Sequence, residues 1–191
     1  MKTGLEIGEK DLAMLCAKGD RSAMRELYNR YAARLSALCS RYAYGTEEGK
    51  DLMHDTMAKA FGKMGRYRYK GEGSLYSWLS RMAVNLCIDR LRKEGRLGVS
   101  VSEEQIPDIP EPPAEEVSSI PLPDLQAMIA SLPDSKRLVF NMFCIDGFSH
   151  REIAEKLGIT EKTSSSTLTR AKKTLSRMIG EYEKKQDGRL D

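Results

Sequence analysis

Apolar residues recur at steps of three and four along most of this chain, and nowhere do they alternate long enough to mark a strand. Residues 1–8 read as frayed. Glu9 to Lys18 then reads as a short helix with Leu12, Leu15 and Cys16 inward, closed by Gly19. Asp20 is placed to cap a long helix running to about Tyr44. Its stripe is Met24, Leu27, Tyr28, Tyr31, Leu35, Leu38, Cys39 and Tyr42, and Gly45 is its stop. Thr46 opens a third helix from Glu47 to about Met64, with Leu52, Met53, Met57, Ala60, Phe61 and Met64 inward. Ser74 caps a fourth, in which Leu75, Trp78, Leu79, Met82, Ala83 and Leu86 share a face; Trp78 at this spacing reads as core.

Beyond Lys93 the pattern stops. Six of the seven prolines lie between Pro107 and Pro123, together with six acids and no Lys or Arg from 101 to 123. Such a stretch buries too little to order itself and reads as an extended acidic tether. Helical spacing then resumes: Leu125, Met128, Ile129 and Leu132 in one short helix, and Leu138, Val139 and Phe143 in the next, which ends near Gly147. Ser149 and Glu152 form a capping box, Gly158 and Ile159 a tight turn with an apolar plug, and Thr160 caps a last helix burying Leu168, Ala171, Leu175 and Ile179. The pattern therefore predicts an all-α protein of two small helical bundles, 1–95 and 122–191, joined by a flexible acidic, Pro-rich linker over 96–121. The second bundle contains a helix-turn-helix.

Charge changes this picture. The 191 residues hold 31 Lys and Arg against 28 Asp and Glu; with the six linker acids set aside, 31 bases face the remaining 22 acids. A folded part that basic suits a polyanionic partner. Cys39, Cys87 and Cys144 lie in apolar stretches without a CxxC pair and read as small buried hydrophobes in a reducing compartment. With two histidines, no metal site is expected, and no cofactor. The chain reads as cytoplasmic, with no signal peptide and no membrane insertion, because no apolar run is long enough to span a bilayer. The segment GTEEGKD from Gly45 is not a phosphate loop: its glycine spacing is one residue short, Asp51 stands where a hydroxyl is needed, and no strand precedes it.

Candidate chemistry concentrates in two places. In Arg66–Gly73, Arg66, Arg68 and Lys70 alternate with Tyr67 and Tyr69. Cations can follow an unpaired phosphate backbone while flat rings stack on exposed bases, and Asn85, a helix away, can pair with a base edge. The second place is the start of the last helix, the end that enters a major groove in a helix-turn-helix. A polar face bearing Asp51, Asp55, Lys59 and Lys63 is either solvated or a partner surface.

Three stretches, KDLMHDTMAKAFGKM, RYRYKGEGSLYSWLSRMAVNLCIDRLRK and FSHREIAEKLGITEKTSSSTLTRAKKTL, together resemble the bacterial RNA polymerase sigma factors of the extracytoplasmic-function subfamily of the sigma-70 family. The resemblance implies core RNA polymerase and promoter DNA, duplex and melted, as partners, and leaves an anti-sigma factor open. It implies no catalytic residue: the protein would direct initiation rather than catalyse a reaction. It places Asp51, Asp55 and Lys59 against the polymerase clamp. Tyr69, Lys70, Gly71, Glu72, Gly73, Ser74 and Asn85 fall on the pocket for a base of the minus-ten element. Lys162, Ser165, Ser166, Thr167, Thr169, Arg170 and Lys173 fall on the helix that reads the minus-thirty-five element. Family members often carry basic residues where Ser165 and Thr167 stand, so this helix is expected to lean on phosphate contacts from Arg170, Lys172 and Lys173. A stand-alone helix-turn-helix regulator, or an enzyme acting on nucleic acid, would be the rival readings.

Overall fold

A computed structural model describes residues 7–43, 46–96 and 120–187. All secondary structure among the described residues is helical, and none of these helices is long and apolar enough to cross a membrane. The chain divides into two compact units, Met1–Arg90 and Leu91–Asp191. The tether expected over 96–121 lies almost wholly outside the described residues, as do Tyr44 and Gly45.

The first unit holds α1 (Glu9–Ala17), α2 (Arg21–Tyr42), α3 (Thr46–Lys63) and all but the last three residues of α4 (Ser74–Lys93). A 3-10 turn, Met64–Arg66, leads from α3 into the loop before α4. Asp20 caps α2, its carboxylate accepting from Ala23 N at 2.8 Å. Leu12, Leu27, Leu35, Leu38, Leu75 and Leu79 are fully buried, each such side chain contributing roughly 1.5–3 kcal/mol. Parts of the expected pattern shift: Met24 and Tyr28 on α2 and Phe61 on α3 are half-buried, with Ala23 inward. Leu15 is only half-buried, and Ala13 takes the inward position on α1. On α4, Trp78, Met82 and Leu86 are half-buried, while Val84, Cys87 and Ile88 are buried. Two neighbouring apolar rows run along α4, and periodicity alone does not say which one a facing helix covers.

The second unit holds α5 (Leu122–Ala130), α6 (Asp134–Phe140), α7 (His150–Leu157) and α8 (Glu161–Asp187). No residue of α5 is fully buried; Leu132, just after it, packs with Ala171 and Leu175 under a cover of Met128, Ile129, Phe140 and Met178. Arg137 is 5% exposed, donates to the Ala130 carbonyl at 3.0 Å and pairs with Asp134 at 3.2 Å, so it ties the end of α5 to the start of α6. α6 continues into a π turn, Asn141–Ile145. The extra residue in this turn changes the phase of the helix. Asn141 and Met142 therefore point inward, and Phe143, expected inside, is 37% exposed with its ring stacked on His150 at 4.4 Å. Cys144 is likewise exposed rather than buried, whereas Cys16, Cys39 and Cys87 are buried thiols.

The helix-turn-helix forms as its caps predict. Ser149 Oγ accepts from Glu152 N while Ser149 N donates to the Glu152 carboxylate at 2.9 Å. Gly158 adopts φ +70°, and Ile159 N donates back to the Ala154 carbonyl at 3.1 Å. Thr160 Oγ1 accepts from Thr163 N at 3.0 Å. His150 Nδ1 lies 3.0 Å from Ser164 Oγ and joins α7 to the first turn of α8.

Candidate nucleic-acid interface

The loop between Tyr67 and Gly73 is tied down at its ends and open at its tip. Tyr69, Lys70, Glu72 and Gly73 are exposed; Gly71 and Ser74 are half-buried. Asn85, three turns along α4, is exposed as well. Gly71 and Gly73 sit at φ +111° and +81°, backbone that side-chain-bearing residues rarely adopt. Tyr67 departs from the expected alternation. It is buried, its ring tilts against Trp78 at 5.3 Å, and burial pushes its phenol pKa up. Tyr69 is therefore the exposed tyrosine of this loop.

What anchors the loop lies far away in sequence. Glu9, the first residue of α1, is 4% exposed. One carboxylate oxygen accepts from Leu75 N at 2.7 Å and the other from Gly73 N at 2.9 Å and from Tyr31 Oη at 3.3 Å. Ser74 does not act as a simple N-cap. Its hydroxyl donates to the Gly71 carbonyl at 2.6 Å, accepts from Lys70 N at 3.1 Å, and lies 2.6 Å from Tyr67 Oη. Both hydroxyls also lie within reach of Glu9 Oε1, Ser74 Oγ at 3.3 Å and Tyr67 Oη at 3.4 Å, so the carboxylate is a second acceptor for their protons. The carboxylate at the N-terminus of α4 is supplied by Glu9, favoured there by the orphan amides and the helix dipole.

Tyr31 reports on this arrangement. Burial first, and the Glu9 carboxylate second, push its phenol from 10.0 up to about 12. The unfolded chain releases this proton near pH 10 while the folded one keeps it. The stability involved is complete below pH 10 and is lost as the pH rises towards 12, by at most about 2–3 kcal/mol. Urea unfolding at about pH 9 and about pH 11.5 should show this loss in the parent and a smaller one in Tyr31→Phe. Equal alkaline losses would assign it to other groups.

The outer face of α3 presents Asp51 and Asp55 to solvent, with Lys59 half-buried. On α8, Lys162, Ser165 and Thr169 are exposed, and Ser166, Arg170 and Lys173 are half-buried. Thr167 is a correction to the sequence reading: it is 5% exposed, on the inward side beside Leu168 and Ala171. Two hydroxyls of the outer face already spend their protons on the helix, Ser166 to Thr163 O and Thr169 to Ser165 O, each at 3.1 Å. What they offer outward is lone pairs.

Two all-helical units, one opening a helix with a clamped basic-aromatic loop and the other carrying a helix-turn-helix, define the class. The family description Sigma-70 region 2 matches residues 27–97, and Sigma-70, region 4 matches residues 122–175. SigM, an ECF RNA polymerase sigma factor of Mycobacterium tuberculosis, is 30% identical over 162 residues, covering 85% of this chain and 80% of its own. SigW of Bacillus subtilis is 28% identical over 176 residues, covering 85% and 91%. The solved complex of sigma factor RpoE with anti-sigma factor NepR from Bartonella quintana shares the fold, with a TM-score of 0.53 at 22% identity over 82% of this chain and 96% of that one. This chain belongs to the sigma-70 family, as an RNA polymerase sigma factor of the ECF subfamily acting in transcription initiation.

Proposed function

We propose that this sigma factor is a non-enzymatic, cytoplasmic specificity subunit that docks on core RNA polymerase and reads two promoter elements. Asp51, Asp55 and Lys59 on α3 face the polymerase. Tyr69, Lys70, Gly71, Glu72, Gly73 and Ser74, with Asn85, take a base of the melted minus-ten element. Lys162, Ser165, Ser166, Thr169, Arg170 and Lys173 on α8 lie in the major groove of the minus-thirty-five element. The two domains and the acidic tether between them let the first contact raise the effective concentration of the second. The observation that carries this reading is the loop itself: Tyr69 and Lys70 stand exposed on a backbone fixed from both sides, with Asn85 accessible on the adjoining helix. A preorganised pocket of this kind offsets the few kcal/mol needed to take a base out of its stack. Partners with the chemistry of NepR, anti-sigma factors, would compete with these surfaces.

The test is reconstitution with core polymerase on promoter libraries. Specific initiation that depends on both elements is expected. A chain that neither binds core nor directs initiation, but binds a palindromic duplex by itself, would belong to a stand-alone regulator.

A further inference from the structure

We infer that Glu9 is a positioning residue for the minus-ten pocket, through which α1 sets the shape of a loop more than sixty residues away; this rests on the reading just proposed. Its carboxylate takes the two backbone N–H groups that bracket Ser74, Gly73 N at 2.9 Å and Leu75 N at 2.7 Å. Ser74 in turn holds Lys70 N and the Gly71 carbonyl. The chain of contacts runs from α1 through Glu9 to the residues carrying Tyr69 and Lys70. Tyr31 of α2 donates to the same carboxylate and fixes its orientation. An acid buried to this degree, given only donors, suits holding a backbone still. It is too deeply enclosed to touch a nucleotide itself.

The carboxylate geometry is demanding. Glutamine keeps the shape, but its NH2 group would face a backbone N–H where the second oxygen now accepts. Aspartate keeps the charge but is one methylene short.

The experiment uses the full chain with core polymerase and compares Glu9→Gln, Glu9→Asp and Leu12→Ala. Leu12 is fully buried in the same helix but takes no part in the network, so it reports the effect of lost stability alone. Glu9→Gln should bind core as the parent does, yet lose about tenfold or more in capture of a single-stranded minus-ten oligonucleotide and in promoter opening. Glu9→Asp should recover part of this. Hydrogen exchange at Gly73 and Leu75 should speed up in Glu9→Gln and not in Leu12→Ala, at a temperature where both are folded. The inference is overturned if Glu9→Gln captures the oligonucleotide as the parent does, or if its deficit and exchange rates match those of Leu12→Ala. If the parent complex captures no single strand, the proposed function fails instead, and the exchange contrast still decides whether Glu9 holds the loop.

Discussion

A variant carrying Tyr69→Ala, Lys70→Ala and Asn85→Ala is expected to open promoters about two to three orders of magnitude more slowly than the parent, with core binding unchanged. Stacking on one aromatic ring is worth about 1–3 kcal/mol per base, and an amide on a base edge about 1–3 kcal/mol. Lys70 adds a phosphate contact. Together these come to about 3–5 kcal/mol once non-additivity is allowed for, which is about a hundredfold to a few thousandfold. Stability should barely move. All three side chains are exposed, and exposed substitutions usually fall within about 0.5 kcal/mol each. Opening followed by a fluorescent base in the melted segment, beside competition for core polymerase, separates the two effects. The salt dependence of single-strand capture should also flatten by about 0.7 of a counterion for the lost lysine. Opening within about threefold of the parent would mean that the melted bases are held elsewhere.

The helices were legible because their signals are local. Asp20, Ser149–Glu152, Gly158 and Thr160 each act within three or four residues of themselves, so spacing reveals them, and the structure uses them as caps. The exposed part of the loop, Tyr69 and Lys70, was legible for the same reason. What escaped depends on contacts distant in sequence or on a shift of phase. Glu9 looks like any acid in a first turn; its partners lie 64 and 66 residues away. Tyr67 and Tyr69 look alike in sequence, and only the fold puts one under Trp78 and the other in solvent. Thr167 seems to belong to a polar helix face, but it sits between the buried Ser164 and Ala171 rows. Phe143 keeps to the helical period, which the π turn breaks. Gly49 shows the same limit from the other side. Its neighbours Gly45 and Lys50 suggest a phosphate loop too short to work, and nothing local shows that Gly49 is where two helices nearly touch.

That contact makes the stability prediction sharp. In an isolated helix, Gly49→Ala would be favourable by about 1 kcal/mol. Here a Cβ on residue 49 would run into Ser40 Oγ and would lie 2.8 Å from Ser40 Cα and 2.9 Å from Ser40 N. The hydroxyl can rotate away at little cost. The Cα and N belong to the backbone of α2 and can yield only if α2 and α3 separate. Separation loosens Leu35, Leu38 and Cys39 on one helix against Leu52, Met53 and Thr56 on the other, all of them buried. Overpacking of this sort costs typically 1–3 kcal/mol and more where backbone must move. The steric term therefore outweighs propensity, and the expected net loss is about 2 kcal/mol, a drop of about 8–16 °C in the melting midpoint of a unit this size. Thermal and urea unfolding monitored by circular dichroism measure it. Adding Ser40→Ala removes the hydroxyl clash but not the backbone one, so it should restore less than half of the loss. Full restoration would make the hydroxyl the obstacle, and a Gly49→Ala protein as stable as the parent would mean that α2 and α3 do not approach this closely. Since α3 also carries Asp51, Asp55 and Lys59, the residues proposed to meet the polymerase, core affinity measured well below the melting midpoint tests whether displacing the helix weakens that proposed contact.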